Sequence, residues 1–212
     1  MDATPSVELP ADADSGVVRR PPAPMRVGGR ELVWGERTYV MGVINVTPDS
    51  FSGDGLLQSA ADGANGADAV AAAVEQARRM VAEGADLLDV GGQSTRPGHR
   101  EIEIEAELAR VEPIVAAICA ALPGTPISID TTRADVAARA IAAGADMVND
   151  VWGVAADERM LRLIAERGVP LVLMHNRAEA RYRNVVAEVL ADLSRALEQA
   201  LAAGVAWEQT IV

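Results

Sequence analysis

Residues 82–98 read Ala82-Glu83-Gly84-Ala85-Asp86-Leu87-Leu88-Asp89-Val90-Gly91-Gly92-Gln93-Ser94-Thr95-Arg96-Pro97-Gly98. They run from the tail of a helix through a glycine and a short apolar run into a polar, glycine-rich loop. Gly84 stands where a left-handed C-cap closes a helix, and residues 87–90 are short and apolar enough for a buried strand. The joint recurs. Ala-Ala-Gly-Ala-Asp precedes Met147, Ala-Ala-Gly-Val-Ala precedes Trp207, and Gly168 follows a further helical segment. Repeated helix–glycine–strand joints mean parallel strands linked by helical crossovers, an α/β architecture.

Working outward, the apolar runs lie at 39–44, 87–90, 126–129, 147–148 and 170–174, and a last one starts at Thr210. Segments of helical period separate them, at 68–82, 103–121, 134–142, 157–166 and 185–203. Gly28-Gly29 predicts the turn of a short hairpin between Met25-Val27 and Glu31-Trp34. Residues 1–24, rich in Pro, Asp, Ala and Ser without apolar period, are expected to form a disordered tail ahead of a domain over 25–212.

The residues ending the runs choose between an open sheet and a barrel. Asn45, Asp89, Asp130, Asn149 with Asp150, and His175 with Asn176 each follow or end an apolar run. An open sheet concentrates ligand groups at one switch point. In a (β/α)8 TIM barrel every strand end converges on one mouth. The barrel is the expectation, incomplete here at about five and a half βα units, because the sequence stops inside an apolar strand at Ile211-Val212.

Composition narrows the function. The 212 residues carry a formal charge of -12, which repels nucleic acid and anionic membrane surfaces. No apolar run reaches the ~20 residues of a bilayer span, and no signal peptide is visible, so the expected location is cytoplasmic. The single cysteine, Cys119, rules out an internal disulfide framework. All 19 basic residues are arginine, so lysine chemistry is not available within these residues.

Four segments carry chemistry. The loop from Asn45 through Thr47-Pro48-Asp49-Ser50-Phe51-Ser52-Gly53-Asp54-Gly55 is long, polar and glycine-rich, and holds the only phenylalanine. An aromatic on such a loop suits closure over a flat substrate. In the second, Gly91-Gly92 frees backbone amides while Ser94, Thr95 and Arg96 offer hydroxyls and a guanidinium fork, a set that suits an anionic group such as diphosphate. The third and fourth, Ser128-Ile129-Asp130 and Asn149-Asp150, set a carboxylate beside a carboxamide, the pattern that reads an aminopyrimidinone edge. His175 reads equally as a structural or a catalytic histidine.

Together these segments resemble the dihydropteroate synthase family, from about Val33 to Val212 and in the family's order. The resemblance implies a barrel that condenses 6-hydroxymethyl-7,8-dihydropterin diphosphate with p-aminobenzoate, giving 7,8-dihydropteroate and diphosphate. It implies Mg2+ as cofactor, with Asn45 as its ligand. Asp130 and Asn149 then resemble the pterin readers, with Asp89 nearby and Met174 against the ring. Thr95 resembles a contact to the pterin diphosphate, while Phe51, Arg96 and Pro97 resemble residues of two loops that close over p-aminobenzoate. Asp54 is displaced by one residue from the family's loop aspartate, and Gln93 replaces a glutamate. The family continues past the sixth strand with a pterin-binding aspartate, a lysine and a closing Arg-x-His strand. The chain as given is therefore expected to be inactive alone, and the complete form to be a homodimer acting on small molecules. Two other readings stand beside this one, a pterin-binding methyltransferase barrel and a non-catalytic truncated paralogue; the Thr47–Ser52 and Ser94–Gly98 motifs favour the synthase over the methyltransferase.

Overall fold

The computed structural model describes residues 22–46, 66–93, 102–152 and 157–212. Two short strands, β1 (Met25–Val27) and β2 (Arg30–Leu32), form an antiparallel hairpin. Alternation of strand and helix follows: β3 (Met41–Asn45), α1 (Gly66–Ala82), β4 (Leu87–Gly91), α2 (Ile104–Ala121), β5 (Ile127–Asp130), α3 (Ala134–Ala143), β6 (Met147–Asp150), α4 (Arg159–Arg167), β7 (Leu171–Leu173), α5 (Val185–Ala202) and β8 (Thr210–Ile211). Strands β3 to β8 pair in chain order and every pair is parallel. Sequential parallel order with a helix after each strand is the winding of a TIM barrel, and an open doubly wound sheet would instead reverse its order.

The pleat sorts the side chains. Ile44, Leu88, Val90, Ile127, Ile129, Val148, Leu171 and Leu173 face the helices and join Ala77, Val111, Ile114, Ile118, Val136 and Ile164 in the main core. Alternate residues face the concave side of the sheet, where Val43 is 47% exposed. Gly84, Gly144, Gly168 and Gly204, expected as helix stops, all take positive φ, between 64° and 115°.

The hairpin has a task that composition does not announce. Met25, Val27 and Leu32 bury against Leu87 and Met147, with Val172 and Ile211 packed beside them, so it covers the sheet at the amino ends of the strands. Its turn needs Gly28. That residue sits at φ +55°, and a methyl there would meet the Asp146 carboxylate at 2.5 Å. Asp86 locks the chain at the same end. Arg37 reaches its two oxygens at 2.8 and 2.6 Å, Arg30 approaches at 3.3 Å, and the Val40 amide donates at 2.9 Å. The Arg37 hydrogen bonds, countering the burial, hold the Asp86 carboxyl down at about 2.

Candidate functional site

The register assembles one rung at the carboxyl end of the sheet. Asn45 aligns with Gly91, Gly91 with Asp130, Asp130 with Asn149, and Asn149 with Val172. Residues on one rung of a parallel sheet face the same side. Asn45, Asp130 and Asn149 therefore share the concave face. Gly91 leaves the space between them open. A methyl on it would lie 3.4 Å from Asp130 Oδ2 and 3.7 Å from Asn45 Oδ1.

Asp89 corrects the sequence reading in one respect. β4 continues to Gly91, so Asp89 lies two residues inside the strand and does not end it. It forms the floor beneath the rung, level with Val43 and Ser128 and nearly fully buried. The Asn149 Nδ2 donates to Asp89 Oδ2 at 3.0 Å. This bond fixes the orientation of the Asn149 carboxamide, whose oxygen keeps its capacity to accept. Burial raises the Asp89 carboxyl above its usual range, opposed by the Ser128 hydroxyl and the Asn149 amide.

Asp130 is the unusual group. Its Oδ1 is buried with no hydrogen-bond partner among the described residues. Burial pushes its carboxyl up to about 7, and the charges of Asp89, Glu107 and Asp150 add to the effect. A carboxyl left this way in a half-open face is suited to a ligand bearing N–H donors, which would pair it and stabilise its charge.

The other expected residues divide. Met174 lies beyond the end of β7, 44% exposed, on the border of a cavity of about 420 Å³. Trp152, His175, Asn176, Asp192 and Arg195 also line that cavity, whereas Asp130 and Asn149 do not. His175 is turned toward α5, with Nε2 2.8 Å from the Tyr182 hydroxyl and Nδ1 3.2 Å from Asp192 Oδ2. That arrangement fits its structural reading. Asp150, adjacent to Asn149, faces the helix side, where Oδ1 accepts from the Trp152 amide at 3.0 Å. Phe51, Asp54, Thr95, Arg96 and Pro97 lie outside the described residues, as does most of the 1–24 tail.

Sequence reasoning missed a support behind Asp130. Glu107 in the first turn of α2 is 2% exposed and accepts from the Thr131 hydroxyl and from Arg133, both at 2.8 Å. A signal existed: Glu107 stands on the same helical stripe as Val111, Ile114 and Ile118, all buried. An acid at such a position must be buried and paired.

No three His, Cys, Asp or Glu side chains among the described residues cluster as a metal cage. The rung nonetheless fits the hard, oxygen-seeking cation that the family resemblance implies. Mg2+ accepts few protein ligands and keeps water and phosphate oxygens around it, and Asn45 offers an amide oxygen on the open face.

A sequential parallel sheet with a carboxyl, a carboxamide and a second amide on one rung at its carboxyl end has the layout of a TIM-barrel mouth, where the active sites of such barrels sit. Comparison with known proteins agrees. The family model for pterin binding enzymes matches residues 41–212, and the chain belongs to that family. It is 43% identical over 188 residues to the dihydropteroate synthase of Clostridium beijerinckii, covering 89% of this chain and 66% of that one. With the Mycobacterium leprae synthase it shares 47% over 174 residues, 78% of this chain and 57% of the relative. Among solved structures, the Xanthomonas albilineans synthase with 4-aminobenzoic acid superposes with a TM-score of 0.78 at 39% identity, over 90% of this chain and 65% of the other. The Burkholderia cenocepacia synthase complexed with 7,8-dihydropteroate gives 0.72 at 36% identity, over 91% and 63%. The chain thus spans about 57–66% of the length of the curated relatives it matches. No helix among the described residues is long and apolar enough to cross a membrane.

Proposed function

We propose that this chain carries the pterin-reading half of a dihydropteroate synthase, condensing 6-hydroxymethyl-7,8-dihydropterin diphosphate with p-aminobenzoate. The observation that carries the reading is the Asp130–Asn149 pair, adjacent on one rung, with Asn149 oriented by Asp89. In this reading Asp130 accepts from ring N–H and amino donors while the Asn149 carboxamide takes the neighbouring edge. Met174 packs against the ring, and Asn45 faces the leaving diphosphate.

The bond from the pterin methylene carbon to the diphosphate oxygen breaks first, and its electron pair leaves with diphosphate. The resulting cation is delocalised into the pterin, where ionised Asp130 and the nearby Asp89 lower its energy. The arylamine nitrogen then bonds to the methylene and its surplus proton passes to water. No strong base is needed, because the arylamine is nucleophilic while neutral. Asn45 would hold Mg2+, which when bound would supply charge neutralisation for the departing diphosphate. Thr95 belongs to the diphosphate side of this proposal, with Asp54 on the first loop. Phe51, Arg96 and Pro97 belong to closure over p-aminobenzoate. A cytoplasmic homodimer completes it.

The test is diphosphate release by the complete form of the chain. Release that requires p-aminobenzoate and yields dihydropteroate supports the reading. Sustained release that proceeds equally well without the amine and forms no dihydropteroate, or no release at all, contradicts it.

A further inference from the structure

The rung explains what would touch a ligand but not what aims Asp130. Its Oδ1 has no hydrogen-bond partner among the described residues, so the direction of the carboxyl depends on the backbone that follows it. That backbone is held from two sides at Thr131. Its amide donates to the Asn149 carbonyl at 3.2 Å, and its hydroxyl donates to Glu107 Oε1 at 2.8 Å. Arg133 closes the arrangement, with its guanidinium 2.8 Å from Glu107 Oε2 and its amide 3.3 Å from the Thr131 hydroxyl. Glu107 in turn is pressed against the end of β4. A methyl on Gly92 would lie 3.1 Å from Glu107 Cγ and 2.6 Å from Val111 Cγ1, and Arg110 donates to the Gly92 carbonyl at 3.1 Å.

We infer that Glu107 is a positioning residue for pterin binding: a buried strut from α2 that holds the Asp130–Thr131 turn at its distance from Asn149. The inference rests on the function proposed above and deepens it. Stability alone is a weak reason for the arrangement. A buried ion pair is commonly replaceable by apolar residues at no cost, whereas its geometry specifies one conformation. An apolar residue at 107 would continue the stripe of Val111, Ile114 and Ile118 but would leave the Thr131 hydroxyl and Arg133 without their acceptor.

The experiment is a double-mutant cycle on the full chain, read by equilibrium binding of 6-hydroxymethylpterin. Glu107→Gln keeps an acceptor for Thr131 and loses the Arg133 pair. It is expected to weaken pterin binding about tenfold, and to raise amide exchange at residues 130–133. The KM for p-aminobenzoate should stay unchanged. In an Asp130→Asn background the same substitution should cost little, because its effect passes through Asp130. Asp86→Asn, at the opposite end of the sheet, controls for a general loss of stability and should leave pterin affinity as it was. If Glu107→Gln does not fold, Thr131→Val carries the same cycle with a loss of about threefold. Equal losses in both backgrounds, or no loss in either, overturn the inference while leaving the function standing. A wild-type chain that binds no pterin overturns both, and is distinguished by that result alone.

Discussion

Asp86 and Asp130 sit at opposite ends of the same parallel sheet, and the protein treats them in opposite ways. Asp86, just ahead of β4, is met by two arginines and a backbone amide, which draw its carboxyl down to about 2. Asp130, at the end of β5, has no cationic partner among the described residues, three acidic neighbours and a carboxyl raised to about 7. The amino end satisfies its charge within the fold and so holds the hairpin in place. The carboxyl end leaves a charge incompletely satisfied, which costs stability and supplies affinity for a ligand that can satisfy it.

The sharpest way to break this contrast is to neutralise each acid in turn. Asp130→Asn in the full chain should lose about 2–4 kcal/mol of transition-state stabilisation, roughly 30- to 1000-fold in kcat/KM for the pterin diphosphate. The same variant should be more stable than wild type at pH 8, by about 2–4 kcal/mol in chemical denaturation, because it removes a charge that folding buries. Asp86→Asn should do the reverse. It should lower stability by about 1–2 kcal/mol, allowing for screening of the half-exposed arginines, with kcat/KM unchanged.

The two acids also predict opposite slopes of stability with pH. The folded value for Asp86 is depressed, so its contribution is present above about pH 4 and is lost as pH falls through about 2. The folded value for Asp130 is raised, so its penalty is absent below about pH 4, grows from there to about 7 and is complete above. Melting curves across pH 2–8 should show the decline between about pH 4 and 7 shrink in Asp130→Asn and the acid decline shrink in Asp86→Asn. The smallest effect is expected from Gly91→Ala. Its methyl would lie in contact with Asp130 Oδ2 and Asn45 Oδ1 and narrow the mouth, weakening pterin binding about three- to tenfold without unfolding the protein.

One side of this comparison was legible in the sequence, for reasons that can be named. Helix–glycine–strand joints have a local cause, the left-handed C-cap, so the elements and their parallel order followed from residues such as Gly84 and Gly144. Asp130 and Asn149 announced themselves because a polar residue ending an apolar run is visible without knowing the fold. What the sequence concealed depends on register and on distant partners. β4 runs two residues past Asp89, and only its pairing with β5 shows that Gly91, not Asp89, shares the rung with Asp130. The strut depends on contacts between Glu107, Thr131 and Arg133, 24 and 26 residues apart. The pairing of Asp86 with Arg37 spans 49 residues. The loop residues Phe51, Asp54, Thr95, Arg96 and Pro97 rest on the motifs alone.

The central claim is that a neutral heterocycle is gripped by the incompletely satisfied carboxyl of Asp130. Calorimetric titration of wild type and Asp130→Asn with 6-hydroxymethylpterin at pH 8 addresses it directly. The account predicts saturable binding to wild type and at least roughly tenfold weaker binding to the variant. Equal affinity for the two proteins would contradict it.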